Sequence, residues 1–181
     1  MNIIIKPMET EDEIAGKGRV HYRAWQEAYR GLVDGGYLAN MSEEKCVAQA
    51  HKWRENILVA KDGERVIGFV GAGCSFDKDF GECGEIYALY VLSEYYGRGV
   101  GYALMNAAFE RLSGRERVIL WVLRGNERAI RFYERYGFRF DGAEKEIVLG
   151  APCVELRMFF ETGKNGSRAD LTTKVYVKER E

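Results

Sequence analysis

From Tyr96 to Gly101 the chain reads YGRGVG, with Gly97, Gly99 and Gly101 between an apolar run and an apolar-periodic stretch. Each glycine costs backbone entropy on folding, so three together imply that something approaches the main chain closely. A strand running through such a loop into a helix has the chemistry of an anion site. The N–H groups of the first helical turn have no partner, and the helix dipole favours negative charge there. Missing Cβ atoms let a phosphate reach those groups, and the Arg98 side chain can add a charge-assisted bond. A tight strand-to-helix turn, needing glycine only for positive φ or close packing, explains the same residues, and the loop alone does not choose between the two. Tyr102 and Ala103 follow Gly101, so the spacing fits neither a GxGxxG dinucleotide fingerprint nor a P-loop ending in Gly-Lys-Ser/Thr.

The elements that must hold this loop are legible on both sides of it. GEIYALYVL, residues 84–92, is aromatic and β-branched and predicts a strand. Over Arg98–Leu112, Val100, Leu104, Ala107, Ala108 and Leu112 form an apolar stripe of helical spacing. Upstream, isoleucine-rich Asn2–Lys6 predicts a first strand stopped by Pro7, and Thr10 with Glu13 has capping-box form. The helix that follows through Ile14, Val20, Trp25, Ala28 and Tyr29 is expected to kink or break at Gly16 and Gly18. Ser42 opens a second helix to about Arg54, and Lys61-Asp-Gly-Glu64, with Asp-Gly as the hairpin signal, joins strands Ile57–Ala60 and Arg65–Gly71. Downstream come a strand at Arg117–Leu123, a helix at Asn126–Tyr136 ended by Gly137, and two strands near Phe138–Leu149 and Cys153–Phe160. The order predicts an α/β protein: one mixed, mostly antiparallel twisted sheet flanked by helices. Residues 1–160 read as a single domain. Residues 161–181 read as an extension whose Thr172–Lys178 stretch suits a further strand and a disordered segment equally.

Composition narrows the function. The 181 residues suffice for one domain with a full core, and 46% hydrophobic with 30% charged residues is an ordinary soluble mixture. With 27 basic and 28 acidic residues the net charge is −1, so there is no broad basic field for nucleic acid or an anionic membrane. No apolar run approaches the roughly 20 residues of a bilayer span, and the N-terminus lacks the layout of a signal peptide. Four cysteines without a CxxC pair and two histidines lack metal-ligand spacing. The cysteines read as reduced thiols, although Cys74 and Cys83 could face each other across a hairpin. A cytoplasmic protein without metal, nucleic-acid partner or membrane association is expected.

The stretch EIYALYVLSEYYGRGVGYALM resembles the acetyl-coenzyme A signature of the GNAT N-acetyltransferases, Gln/Arg-x-x-Gly-x-Gly/Ala, matching at Gly99 and Gly101 and departing at Tyr96. WVLRGNERAIRFYERYGFRFDG resembles the second half of that signature at Asn126, Ala129, Phe132, Tyr133, Gly137 and Phe138. The resemblance covers about residues 2 to 160 and implies the acyl-CoA N-acyltransferase fold with acetyl-CoA as cosubstrate. It further implies that the main chain of Leu89, Tyr90 and Val91 pairs with the pantetheine arm along a splayed strand edge. The loop Tyr96, Gly97, Arg98, Gly99, Val100 and Gly101 would take the pyrophosphate, with Asn126 and Tyr133 near the pantetheine and the sulfur.

Acetyl transfer to an amine requires loss of a proton from the amine, stabilisation of the carbonyl oxygen and a proton for the departing thiolate. Asn126 and Tyr133 are seven residues apart, two helical turns, and so can face one groove. Tyr133 is the candidate general acid, against the alternative of an aromatic core residue within FYERYGF. Glu85, eleven residues before Tyr96, sits at an offset resembling the catalytic glutamate of the histone-acetylating branch. It is the candidate base, against a solvated charge at a strand start; ordered water serves many related enzymes instead. The Val91 N–H is the candidate donor to the carbonyl oxygen. In HYRAWQEAYRGLVDGGYL, which would form one wall of the acceptor pocket, Trp25 and Tyr29 share a helix face, where core packing competes with substrate contact. Asp34 and Glu27 are candidates to attract a cationic amine. The leading reading is an N-acetyltransferase moving acetyl directly to a primary amine of a small molecule or peptide. The other is a non-catalytic acyl-CoA-binding or sensing module, which has no need of Tyr133. GNAT proteins often pair, which leaves a homodimer open.

Overall fold

Thr10 starts the first helix as its sequence predicts. In the computed structural model, which describes residues 3–75, 77 and 82–162, its hydroxyl accepts from the Glu13 N–H at 3.2 Å, and the Glu13 carboxylate accepts from the Thr10 N–H at 3.2 Å. The helix, α1 (Glu11–Ala28), runs unbroken through Gly16 and Gly18, against the expected kink. A Cβ on Gly16 would lie 2.6 Å from Val66 Cγ2, and one on Gly18 2.6 Å from Val47 Cα. These glycines therefore admit two close neighbours, and packing outweighs their helix penalty of roughly 1 kcal/mol each. Val66 belongs to strand β3 (Arg65–Cys74) and Val47 to helix α3 (Glu43–Lys52). A short helix that the sequence did not disclose, α2 (Gly35–Ala39), is capped by Asp34, which accepts from the Tyr37 N–H at 2.9 Å.

β1 (Ile3–Pro7), which includes Pro7, β2 (Ile57–Asp62), β3, β4 (Gly84–Val91), β5 (Arg117–Leu123), β6 (Arg139–Leu149) and β7 (Ala151–Glu161) form one sheet ordered β1-β2-β3-β4-β5-β7-β6. Every neighbouring pair is antiparallel except β4 and β5. That parallel pair is short, joining Gly84–Ile86 to Val118–Leu120 and no further. Opposite it, Gly71 pairs with Ala88 while Ala72 pairs with Ile86, so Tyr87 is an extra residue and β4 bulges. A bulge bends its strand and raises the local twist, which carries the rest of β4 away from β5. α1 and α3 cover one face through Ile14, Val20 and Ala50. α4 (Val100–Arg111) and α5 (Glu127–Tyr136) cover the other through Leu104, Met105, Ile130 and Tyr136. Each large apolar side chain so buried contributes roughly 1.5–3 kcal/mol. All four cysteines are unpaired, Cys46 and Cys83 buried and Cys74 exposed. The expected strand at 172–178 lies outside the described residues.

A buried carboxylate and a half-buried imidazole tie stability to acid pH. Burial would raise the Glu13 pKa, but the Lys6 ammonium at 2.8 Å and the N–H groups of Glu9 and Thr10 outweigh it and hold it at about 2. His21 is also enclosed, its Nδ1 without a partner among the described residues; burial, then the Lys17 charge, lowers its pKa to about 4. Both folded values lie below the unfolded ones of 4.5 and 6.5. Their stabilisation is therefore complete above the unfolded values and is lost as pH falls, for His21 between 6.5 and about 4, for Glu13 between 4.5 and about 2. Calorimetric melting should show Tm declining through both windows. Glu13→Gln should cost about 1–3 kcal/mol at neutral pH and flatten only the lower window.

Candidate active site

Where β4 leaves β5 a cleft of about 830 Å³ opens through the sheet. The glycine loop closes one end. Gly97 and Gly99 have φ of 74° and 79°, and a Cβ on either would meet nothing within 4 Å. Gly99 is also the N-cap of α4, whose first internal bond runs from the Ala103 N–H to the Gly99 carbonyl at 3.0 Å. The N–H groups of Val100, Gly101 and Tyr102 precede that bond and have no helical acceptor. Left-handed backbone demands glycine at these two positions, and the space in front of the helix terminus is open. A Cβ on Gly101 would instead lie 3.2 Å from Phe132 Cε2, so this glycine sets how closely α4 approaches α5.

The signature's side chains are rearranged around that loop. Arg98 does not line the cleft; its guanidinium sits 5.5 Å from the Tyr95 ring centroid. Arg128, from the first turn of α5, does line it and stacks on the ring of Tyr96, the residue that departs from the signature. Sequence reading missed Arg128 because only the approach of α5 to the loop brings it there. The cradle is one that an anion fits: free helical N–H groups, no Cβ atoms, and an arginine held by an aromatic face.

Tyr133 lines the cleft and is 9% exposed, its ring packed in the same cluster as Ile130 and Tyr136. No described residue hydrogen-bonds its hydroxyl. Burial, with the Tyr29 hydroxyl adding to it, holds its pKa well above the ordinary tyrosine value of 10.0, so the proton stays on at neutral pH. Asn126 lines the cleft as the N-cap of α5, its Oδ1 accepting from the Ala129 N–H at 3.3 Å. Leu89, Tyr90 and Val91 lie beyond the last β4–β5 pair, so their edge toward β5 lacks a strand partner. The Tyr90 side chain points to α1, accepting from Trp25 Nε1 at 3.0 Å, with the Tyr29 hydroxyl 3.2 Å from its own.

Glu85 is not brought to this group. It lies in the paired segment before the bulge, outside the cleft lining, and its carboxylate accepts from the Ser75 hydroxyl at 2.9 Å. Ser75 Oγ in turn accepts from the Asp77 N–H at 3.0 Å, and Arg157 reaches Asp77 at 2.6 Å. Glu27 pairs with Arg23 at 3.9 Å and Asp34 caps α2; neither lines the cleft. Trp25 and Tyr29 do line it as well as pack. Glu155, which residue spacing could not single out, also lines it, placed opposite Leu123 by the β5–β7 register. Among the described lining residues there is no serine, cysteine, histidine or lysine, and no described group of three or more His, Cys, Asp or Glu could hold a metal ion.

The profile of the acetyltransferase (GNAT) family matches residues 8–138. An uncharacterized N-acetyltransferase of Archaeoglobus fulgidus is 35% identical over 126 residues, 65% of this chain and 83% of that protein. The uncharacterized N-acetyltransferase YuaI of Bacillus subtilis is 28% identical over 166 residues, 83% of this chain and 93% of that one. Among solved structures, PaiA N-acetyltransferase from Thermoplasma acidophilum in complex with coenzyme A shares the fold with a TM-score of 0.67 at 21% identity, covering 89% of this chain and 99% of that one. The chain belongs to the acetyltransferase (GNAT) family. It is an acetyl-CoA-dependent N-acetyltransferase, which sets aside the non-catalytic reading.

Arg128 then carries a specific expectation. If its guanidinium makes one charge-assisted contact to the cosubstrate's phosphates, Arg128→Ala weakens acetyl-CoA binding about tenfold, the equivalent of roughly 1.4 kcal/mol, whereas Arg98→Ala has a smaller effect. Calorimetric titration of the two variants measures the difference.

Proposed function

We propose that the enzyme moves acetyl directly from acetyl-CoA to a primary amine, with Tyr133 as general acid. The observation that carries this reading is the Tyr133 hydroxyl, which retains its proton in a cleft with an anion cradle at one end and no serine or cysteine among its described lining residues. Bound acetyl-CoA supplies the acetyl group as a thioester, with an electrophilic carbonyl carbon and a thiolate leaving group. The unpaired β5-facing edge of Leu89–Val91 holds the pantetheine arm as an added strand would be held, and the loop Tyr96–Gly101 with Arg128 holds the pyrophosphate. Asn126 keeps its amide at the cleft while fixing the start of α5. The Val91 N–H donates to the carbonyl oxygen as charge builds there.

The amine arrives as an ammonium ion and gives one proton to water; Glu85, tied to Ser75 outside the cleft, is not needed for that step. As nitrogen bonds to the carbonyl carbon and the carbon–sulfur bond breaks, the nitrogen releases its second proton to water, while Tyr133 gives its proton to sulfur and is reprotonated from solvent. The sum is amide, free thiol and one proton. No helix among the described residues is long and apolar enough to cross a membrane, and the four unpaired thiols suit a reducing compartment, so we assign the reaction to the cytoplasm. The test is release of CoA thiol from acetyl-CoA across an amine panel, with mass spectrometry of the protein. Turnover without any acetylated protein is expected; an acetyl-enzyme that accumulates without amine and discharges when amine is added rules out direct transfer.

A further inference from the structure

Charge is unevenly placed around the cleft. Among the described lining residues the two cations, Arg128 and Arg135, both belong to α5. On the side of α1 the wall is aromatic and aliphatic, built from Trp25, Tyr29, Trp121, Ile147 and Leu149, and among the described lining residues it contains one carboxylate, Glu155. The β5–β7 register sets Glu155 beside Leu123, two residues beyond Trp121 and the same side of the sheet. Its side chain is 23% exposed and has one described partner, Lys145, at 3.1 Å from Oε2. Lys145 is outside the cleft lining and rests its ammonium 4.1 Å from the centre of the Trp121 ring. A carboxylate has about four acceptor positions, so one ammonium leaves Glu155 with capacity toward the cleft. The Tyr29 hydroxyl feels it: burial raises its pKa, the Tyr90 hydrogen bond opposes, and the Glu155 charge adds to the rise.

We propose that the α1 side of the cleft is an ammonium subsite in which Glu155 receives the acceptor's positive charge, and that the acceptor is a primary amine on an apolar or aromatic body with no carboxylate beside the amine. The inference rests on the reading of the cleft as the acetyl-transfer site. Aromatic faces attract a cation that is already partly stripped of water. An acceptor carboxylate at the same place meets Glu155 with no cation among the described lining residues of that wall to answer it, Lys145 lying outside the lining and already paired, and like charge is an effective device against a wrong partner.

The test compares matched pairs that differ only in the carboxylate: phenethylamine with phenylalanine, and 1,5-diaminopentane with lysine. For the preferred pair, kcat/KM should favour the decarboxylated member by at least about tenfold. Glu155→Gln should raise its KM by about tenfold, shrink that preference and leave acetyl-CoA affinity unchanged. Lys145→Met, which releases the competing cation, should lower the KM. A Glu155 that merely ties the β6–β7 hairpin together predicts something different: both substitutions lower Tm alike and neither alters the preference, and that result overturns the subsite. So does turnover confined to the amino-acid members, or turnover of no member of either pair by an enzyme that binds acetyl-CoA. Failure to bind acetyl-CoA at all would instead remove the broader reading of the cleft.

Discussion

Tyr133→Phe is expected to lower kcat by about 10²–10⁴-fold while changing acetyl-CoA affinity by less than about twofold. The ring belongs to the cluster that α5 presents to the sheet, and phenylalanine fills that volume without the hydroxyl. Because no described residue hydrogen-bonds that hydroxyl, its removal leaves no protein donor or acceptor stranded, and the fold should be little affected. What is lost is the proton for the departing thiolate. The direction of the pKa shift adds a second readout. An acid must be protonated to act, and burial raises Tyr133 above the ordinary 10.0, so its ionisation should produce no alkaline fall in kcat below pH 10.0. Single-turnover rates and calorimetry on the variant separate chemistry from binding. Unchanged kcat in Tyr133→Phe would return Tyr133 to the status of a core aromatic and leave the thiolate to be protonated by water.

The second large effect falls on binding. Gly99→Val should raise the acetyl-CoA dissociation constant by about 100-fold or more, roughly 2.7 kcal/mol at the loop. Two separate costs arise, one on the fold and one on binding. A side chain at φ 79° takes on left-handed backbone, about 1–2 kcal/mol for an L-residue and more for a β-branched one. The new Cβ and its methyl groups also fill the open space before the N–H groups of the first α4 turn, where the pyrophosphate must come. The backbone cost is carried by free and bound protein alike, so it appears as a fall in Tm of about 2–8 °C, while the filled space is what weakens binding. Titration calorimetry and melting of the same sample distinguish the two. A variant that loses Tm but binds acetyl-CoA normally would show that the loop needs glycine for its turn alone.

The two variants are complementary. One removes a step of the chemistry and spares the grip on the cosubstrate; the other removes the grip and leaves Tyr133 in place.

Features legible in the chain were those that a few neighbouring residues decide. The Thr10–Glu13 capping box, the hairpin turn that follows Asp62 and the glycine loop ahead of α4 each rest on hydrogen bonds or backbone angles within one turn, and each is found in place. Features decided by distant neighbours escaped. Gly16 and Gly18 look like helix breakers until Val66 and Val47 arrive from β3 and α3. Arg98 stands inside the signature, yet the arginine that reaches Tyr96 in the cleft is Arg128, because α5 lays its first turn there. Glu85 has the right offset from the loop, but the bulge at Tyr87 opens the cleft only after it. Glu155 has no local signal at all; it lines the cleft because β7 inserts between β5 and β6 and its register sets it opposite Leu123. Short-range hydrogen bonds and φ preferences are written into adjacent residues, whereas the splay of two strands and the register of a third are settled only when the whole sheet packs.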